Sequence, residues 1–308
     1  MTVPQAARTD QIVTGIGIIL LSTFAMAFSD AVVKLLSSEL TIWQVFAVRS
    51  SFAIPCLLVF VYWQRQGVKP NSVYWVLIRS VLIVLTWLAY YAALPVLSLS
   101  VAAVAVYTNP IITTLLSSLL IGERVSKRQW AGILIGFIGV IVILKPGTDA
   151  FSWAILLPLL GALFYSLAMI ITRTKCKSEK PVTLALSLHV LFVVTGSIGV
   201  ALLSIASLST NTIAAYPFLL DGWPKMGATD WATMAFLGLL SAAFFLGVAK
   251  AYQIAPPHII ATFDYGYLVS AVFWSVVLFT ETPDKLTVIG ILLITGAGVL
   301  VASTSAKQ

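Results

Sequence analysis

Five charged side chains interrupt otherwise apolar stretches of the chain: Asp30, Arg49, Arg79, Lys250 and Asp264. A charge in a hydrocarbon setting is expensive, so such residues pair with one another or mark a path for a polar ligand. Asp30 stands toward the far end of the first stretch with Lys34 four residues on, an i,i+4 pair with an ordinary structural reading. Arg49, in the second stretch, can meet Asp30 as a fold-fixing ion pair. Lys250 and Asp264 flank the turn Ala255-Pro256-Pro257-His258 and fall at similar depth, a depth that Arg79 shares from the third stretch. Their spacing predicts a Lys250–Asp264 ion pair. It would either latch one face of the protein or simply fix the hairpin.

Aromatic and amide side chains form the second group. Trp87 and Tyr90 lie three residues apart on one helical face, and Tyr107 and Asn109 precede Pro110. A proline within a helix frees a carbonyl of the preceding turn, which with the Asn109 amide can receive a polar ligand. Tyr165, Tyr265 and Tyr267 supply a similar cluster from the other half of the chain. Tyrosine and tryptophan combine an apolar body with a polar tip, so they can wall a cavity for a zwitterion without burying a full opposite charge. Trp43, Trp63, Trp75, Trp130 and Trp153 instead fall at the ends of apolar stretches and read as an interfacial belt. His189 stands alone in mid-stretch and reads as a packing residue, and His258 as a helix cap.

These residues must be positioned by membrane helices. The 308 residues are 60% hydrophobic and 9% charged, against about 25% charged in a soluble domain. A spanning helix needs about 20 apolar residues, and ten such segments occur: 11–34, 41–63, 73–94, 98–121, 129–145, 153–172, 182–206, 231–254, 259–280 and 285–303. The expected fold class is therefore an all-α integral membrane protein of ten helices. The longer connection 207–230 could lie along the membrane surface. Cys56 and Cys176 are expected to be free thiols. The net charge of +7 reflects topology and not nucleic acid. Eleven lysines and arginines fall on the side of the N-terminus and four on the other, which predicts two cytoplasmic termini.

The chain also repeats. With an offset of 158 residues, Tyr107 meets Tyr265, Glu123 meets Glu281, Lys127 meets Lys285, and Gly132-Ile133-Leu134 meet Gly290-Ile291-Leu292. The copies are five segments apart. Because five is odd, the second half (148–308) must be inserted upside down relative to the first (1–147). Inverted repeats place a ligand site at the midplane seam and permit alternating access. Glycine stripes in the fifth helix (Gly132, Gly136, Gly139) and the tenth (Gly290, Gly296, Gly298) suit close packing as scaffold or dimer face.

On these features the chain resembles the drug/metabolite transporter superfamily in its ten-helix EamA branch. The resemblance rests on Arg49 in the second helix, Asn109-Pro110 in the fourth, Gly122-Glu123 at its end, the glycine-rich fifth helix, and Glu281 with Gly290, Gly296 and Gly298 repeating that pattern. Within the family it is similar to YddG-type bacterial amino-acid exporters. The resemblance implies ten helices, cytoplasmic termini, a bacterial inner membrane and export of amino acids or related metabolites. The proton-coupled small relatives carry a glutamate in mid-depth of the first helix, and this chain has no acid there.

No Walker loop, GxSxG, HExxH or His/Cys/Glu cluster of metal-ligand spacing occurs. The expectation is a secondary transporter, not an enzyme, without cofactor or metal, acting as a monomer or weak homodimer on a small molecule. Nucleosides, S-adenosylmethionine or cationic drugs are the alternative substrates, and a passive channel is a further alternative. The five intramembrane charges, three basic against two acidic, favour neither sign of substrate.

Overall fold

A computed structural model describes residues 5–36, 39–65, 67–93, 105–144, 153–206, 209–280 and 285–305. All regular structure among them is helical. In chain order the helices are α1 (Gln5–Leu36), α2 (Ile42–Trp63), α3 (Val73–Ala93), α4 (Asn109–Ile121), α5 (Lys127–Leu144), α6 (Trp153–Thr174) and α7 (Pro181–Ile205). The short α8 (Thr210–Ala215) and α9 (Pro217–Leu220) follow, then α10 (Ala228–Ile254), α11 (Pro257–Asp264), α12 (Gly266–Phe279) and α13 (Lys285–Ser305). Among the described residues, seven helical stretches are long and apolar enough to cross a membrane, with α11 and α12 counted as one. The protein is a multi-pass membrane protein.

Two expected continuous helices are broken. The fourth pauses in a turn at Tyr107-Thr108, so Pro110 sits in the first turn of α4 rather than in mid-helix. There its missing N–H removes no helical hydrogen bond. The ninth breaks at Tyr265, between α11 and α12. Tyr107 and Tyr265 are the tyrosines that the repeat matches.

The packing pairs are specific. α1 lies against α10, α11 and α12; α3 against α6 and α7; α2 against α7 and α10; α4 against α6 and α11; and α5 against α13. Glycine permits the last of these. A Cβ at Gly139 would come 2.9 Å from the Gly290 carbonyl oxygen and one at Gly132 3.2 Å from that of Ala297; one at Gly136 would meet the ring of Tyr265, at the α11–α12 break, at 2.6 Å. Gly296, by contrast, faces open space. Gly139→Leu is therefore expected to cost about 1–3 kcal/mol, seen as a lower melting temperature in detergent. Gly17→Leu, where nothing lies within 4 Å, should leave it unchanged.

The ends of the helices are tied by polar contacts. The long connection, described over 209–230, carries the short helices α8 and α9 and is tied to the start of α2. Thr41 Oγ1 donates to the Gly222 carbonyl, Trp43 Nε1 to that of Leu219, and Gln44 Nε2 to that of Pro224. At the other face, Glu179 accepts from the Asn71 and Ser72 N–H groups at 3.0 and 2.7 Å. A carboxylate there suits the N-terminus of α3. Gln253 Nε2 donates to the Cys176 and Glu179 carbonyls, which joins the end of α10 to the α6–α7 turn.

Candidate functional site

A cavity of about 260 Å³ opens between α1, α3, the α4 break, α6, α10 and the α11–α12 break. Six of the seven aromatic and amide residues expected at a ligand site line it: Trp87, Tyr90, Tyr107, Asn109, Tyr165 and Tyr267. The rings pack on one another. Tyr107 stacks on Tyr267 with centroids 5.4 Å apart, and Trp87 meets Tyr90 edge-on at 6.4 Å. Tyr265 is not among the lining residues. It is fully buried beside Gly136, and its hydroxyl has no hydrogen-bond partner among the described residues.

The charged residues divide. Asp30, Arg79 and Asp264 line the cavity. Asp264 Oδ2 accepts from the Tyr252 hydroxyl at 2.6 Å and the Tyr165 hydroxyl at 3.3 Å. Asp30 Oδ2 accepts from Tyr267 at 2.8 Å. Asp30 is thus held by the opposite half of the chain and faces the cavity, although it was expected in an ion pair near the membrane surface. The side chain of Lys34 lies outside the described residues.

The expected Lys250–Asp264 ion pair does not form. Lys250 is exposed, whereas Asp264 is buried among tyrosines. The cause is helical phase. Tyr252, which holds Asp264, is two residues from Lys250, about 200° around the helix, so equal depth does not bring Lys250 to the same face. Arg49 is buried within a π-type turn at Val45–Arg49 and does not line the cavity. It lies close enough to Asp30 to interact electrostatically, yet no ion pair joins them among the described residues. Its Nε has no hydrogen-bond partner among the described residues.

Arg79 is fully buried. Its Nε donates to Thr172 Oγ1 at 2.9 Å and its Nη1 to the Leu184 carbonyl at 3.3 Å. Among the described residues its Nη2 has no hydrogen-bond partner, and neither has Asn109 Oδ1.

Two further polar contacts depart from expectation or went unforeseen. His258 does not cap its helix alone: its Nδ1 lies 2.9 Å from Glu123 Oε2, which joins α11 to the segment after α4. Tyr252, which donates to Asp264, belongs to no motif or spacing pattern in the sequence. No signal short of its phase relative to Asp264 would have found it. His189 is fully buried with Nδ1 3.2 Å from Ser50 Oγ, as a packing residue should be.

In the α6–α7 turn, burial pushes the Cys176 thiol up to about 11, with Arg79 opposing and Glu179 adding to the shift. Cys176 is therefore protonated at neutral pH and, being buried, should resist maleimide at pH 7.5 in the folded protein. It should label fully on denaturation.

Among known proteins, a model of the EamA-like transporter family matches residues 13–145 and again residues 152–303. The chain belongs to the EamA-like transporter family. EamA relatives of this chain include an S-adenosylmethionine uptake transporter of Rickettsia prowazekii (strain Madrid E), 25% identical over 96% of this chain and 94% of the relative. The pseudopaline exporter CntI of Pseudomonas aeruginosa is 24% identical over 96% of this chain and 98% of the relative. A riboflavin transporter of Rhizobium johnstonii is 35% identical, over 49% of this chain and 48% of the relative. A solved crystal structure of a protein 18% identical superposes with a TM-score of 0.76, covering 96% of this chain and 98% of the other, and so shares the fold. As an EamA family member, the chain is a membrane transporter of the drug/metabolite superfamily.

Proposed function

We propose that the chain is a secondary transporter that carries a small, cation-bearing, ring-containing metabolite across the bacterial inner membrane by alternating access. S-adenosylmethionine is the first candidate. The observation that carries this reading is the pair of carboxylates, half-buried Asp30 and buried Asp264, facing an aromatic-walled cavity. Two of the three basic residues that balanced them in the sequence are elsewhere: Lys250 is exposed and Arg49 lies away from the cavity. The site is thereby weighted toward a cationic ligand. Tyrosine and tryptophan faces attract cations and stack on flat rings. The S-adenosylmethionine uptake transporters, which match this chain over nearly its whole length, support the choice.

Three observations support ten helices in two inverted repeats. The family model matches twice in succession. The two helix breaks fall at Tyr107 and Tyr265, the residues the repeat aligns. The packing pairs also exchange when the halves are swapped. Under that swap, α1 against α10 corresponds to α6 against α3, α2 against α10 to α7 against α3, and α1 against α11–α12 to α6 against α4. Broken helices at a midplane seam are the arrangement that inverted-repeat transporters use to expose backbone polar groups to substrate. In this reading both termini are cytoplasmic, and the Glu123–His258 contact takes the latch role first expected of Lys250 and Asp264.

Amino-acid export of the YddG type is the second reading, favoured by the presence of Arg79 in the same cavity. Purified protein in liposomes decides between them. Saturable uptake of labelled S-adenosylmethionine, competed poorly by common amino acids, is the expected result. Uptake of amino acids alone would replace the substrate and keep the mechanism.

A further inference from the structure

We infer that Arg79 and Asp264 together form one end of the cavity that reads an α-amino-acid head, Arg79 binding its carboxylate and Asp264 its ammonium group. This rests on the transport reading above and narrows its substrate class. The guanidinium of Arg79 offers five N–H donors. Thr172 and Leu184 hold it by Nε and Nη1, and Nη2 is left without a partner in a side chain that is 0% exposed.

No carboxylate lies within ion-pair distance of Arg79 among the described residues. Glu179 is engaged by the N–H groups of Asn71 and Ser72, and Asp264 by Tyr252 and Tyr165. A buried cation without a counter-charge costs several kcal/mol, and a fixed guanidinium fork with a free edge is suited to a carboxylate. The missing anion is supplied by the ligand.

The cation half of the head has its own reader close by. Tyr165 donates to Asp264 at 3.3 Å and also interacts electrostatically with Arg79, so the two charges flank one tyrosine without neutralising each other. Asn109 Oδ1, 5% exposed at the residue and without a partner, adds an acceptor in the same cavity.

The other end is different. Tyr90 is eleven residues beyond Arg79 on α3, about 16 Å along the axis, and it lies within electrostatic reach of Asp30. Trp87 stands between them in sequence. The cavity is polarised, with a zwitterion reader at one end, aromatic walls in the middle, and the lone carboxylate Asp30 at the other. This layout fits an amino-acid head carrying a flat or cationic tail, a description that covers S-adenosylmethionine and aromatic amino acids alike.

The test uses matched pairs that differ only in the carboxylate: S-adenosylmethionine against its decarboxylated form, and phenylalanine against phenethylamine. Each is measured by competition and by thermal shift on the intact protein. In the pair that the protein takes, the carboxylate-bearing member is expected to bind at least about tenfold tighter. Arg79→Gln should bring that ratio close to one, and Arg79→Lys should restore part of it, an effect a merely structural arginine would not have. If Arg79→Gln fails to fold, the wild-type ratio decides by itself. Equal or tighter binding of a decarboxylated member overturns the assignment and leaves the transport reading intact. Binding of neither pair overturns both.

Discussion

Asp264→Asn is expected to lower the rate of S-adenosylmethionine transport by about ten- to a hundredfold with little change in melting temperature. The substitution removes the negative charge and keeps the shape and one acceptor oxygen. The Tyr252 hydroxyl, 2.6 Å from Oδ2 in the wild type, and that of Tyr165 can still donate to the amide carbonyl. What is lost is the charge-assisted contact with a cationic ligand, worth about 1.5–3 kcal/mol. Asp264→Ala is a different experiment. It leaves the buried Tyr252 hydroxyl and the half-buried Tyr165 hydroxyl without their acceptor and should lower stability as well. Comparing the two variants in liposomes separates ligand binding from fold. Wild-type transport by a folded Asp264→Asn variant would remove Asp264 from the site.

Locking the Glu123–His258 contact should stop turnover altogether. The two side chains meet at 2.9 Å and tie the segment following α4 to the start of α11. If the halves rock about the cavity, this contact must open once per cycle. With Cys56 and Cys176 replaced by serine, the Glu123→Cys/His258→Cys double variant should transport until a short bifunctional thiol reagent is added and then fall to background. Each single variant treated alike should keep its activity. A cross-linked protein that still transports would mean that this face stays closed throughout the cycle. In that case the path runs elsewhere.

Much of this was legible in the sequence. Composition and segment length gave a membrane protein, and the spacing of Trp87, Tyr90, Tyr107 and Asn109 placed four lining residues on two helices. Where the reading failed, the cause was rotation rather than depth. Counting residues from a helix end fixes how deep a side chain lies. It does not fix which way the side chain points once the helix is broken or over-wound. Lys250 and Asp264 share a depth and point apart. Arg49 is the last residue of a π-type turn that shifts the helical phase. Tyr265 sits at the break before α12 and turns toward Gly136, while Tyr267, two residues on, reaches Asp30. The repeat aligns Tyr107 with Tyr265, but only Tyr107 lines the cavity. The breaks, which segment length did not foresee, thus follow the internal symmetry more closely than the ligand contacts do. Glu281, the repeat partner of Glu123, lies outside the described residues.

Alternating access across the cavity depends on two halves inserted in opposite senses, and sidedness tests this most directly. Arg124 and Lys285 are both exposed, in or next to the loops that the repeat matches. In a background with Cys56 and Cys176 replaced by serine, each is changed to cysteine in turn and treated with a membrane-impermeant maleimide. Intact cells should label the Lys285→Cys variant and spare Arg124→Cys, with the pattern reversed in inside-out vesicles. Labelling of both from one and the same side would contradict the inverted arrangement and the alternating access built on it.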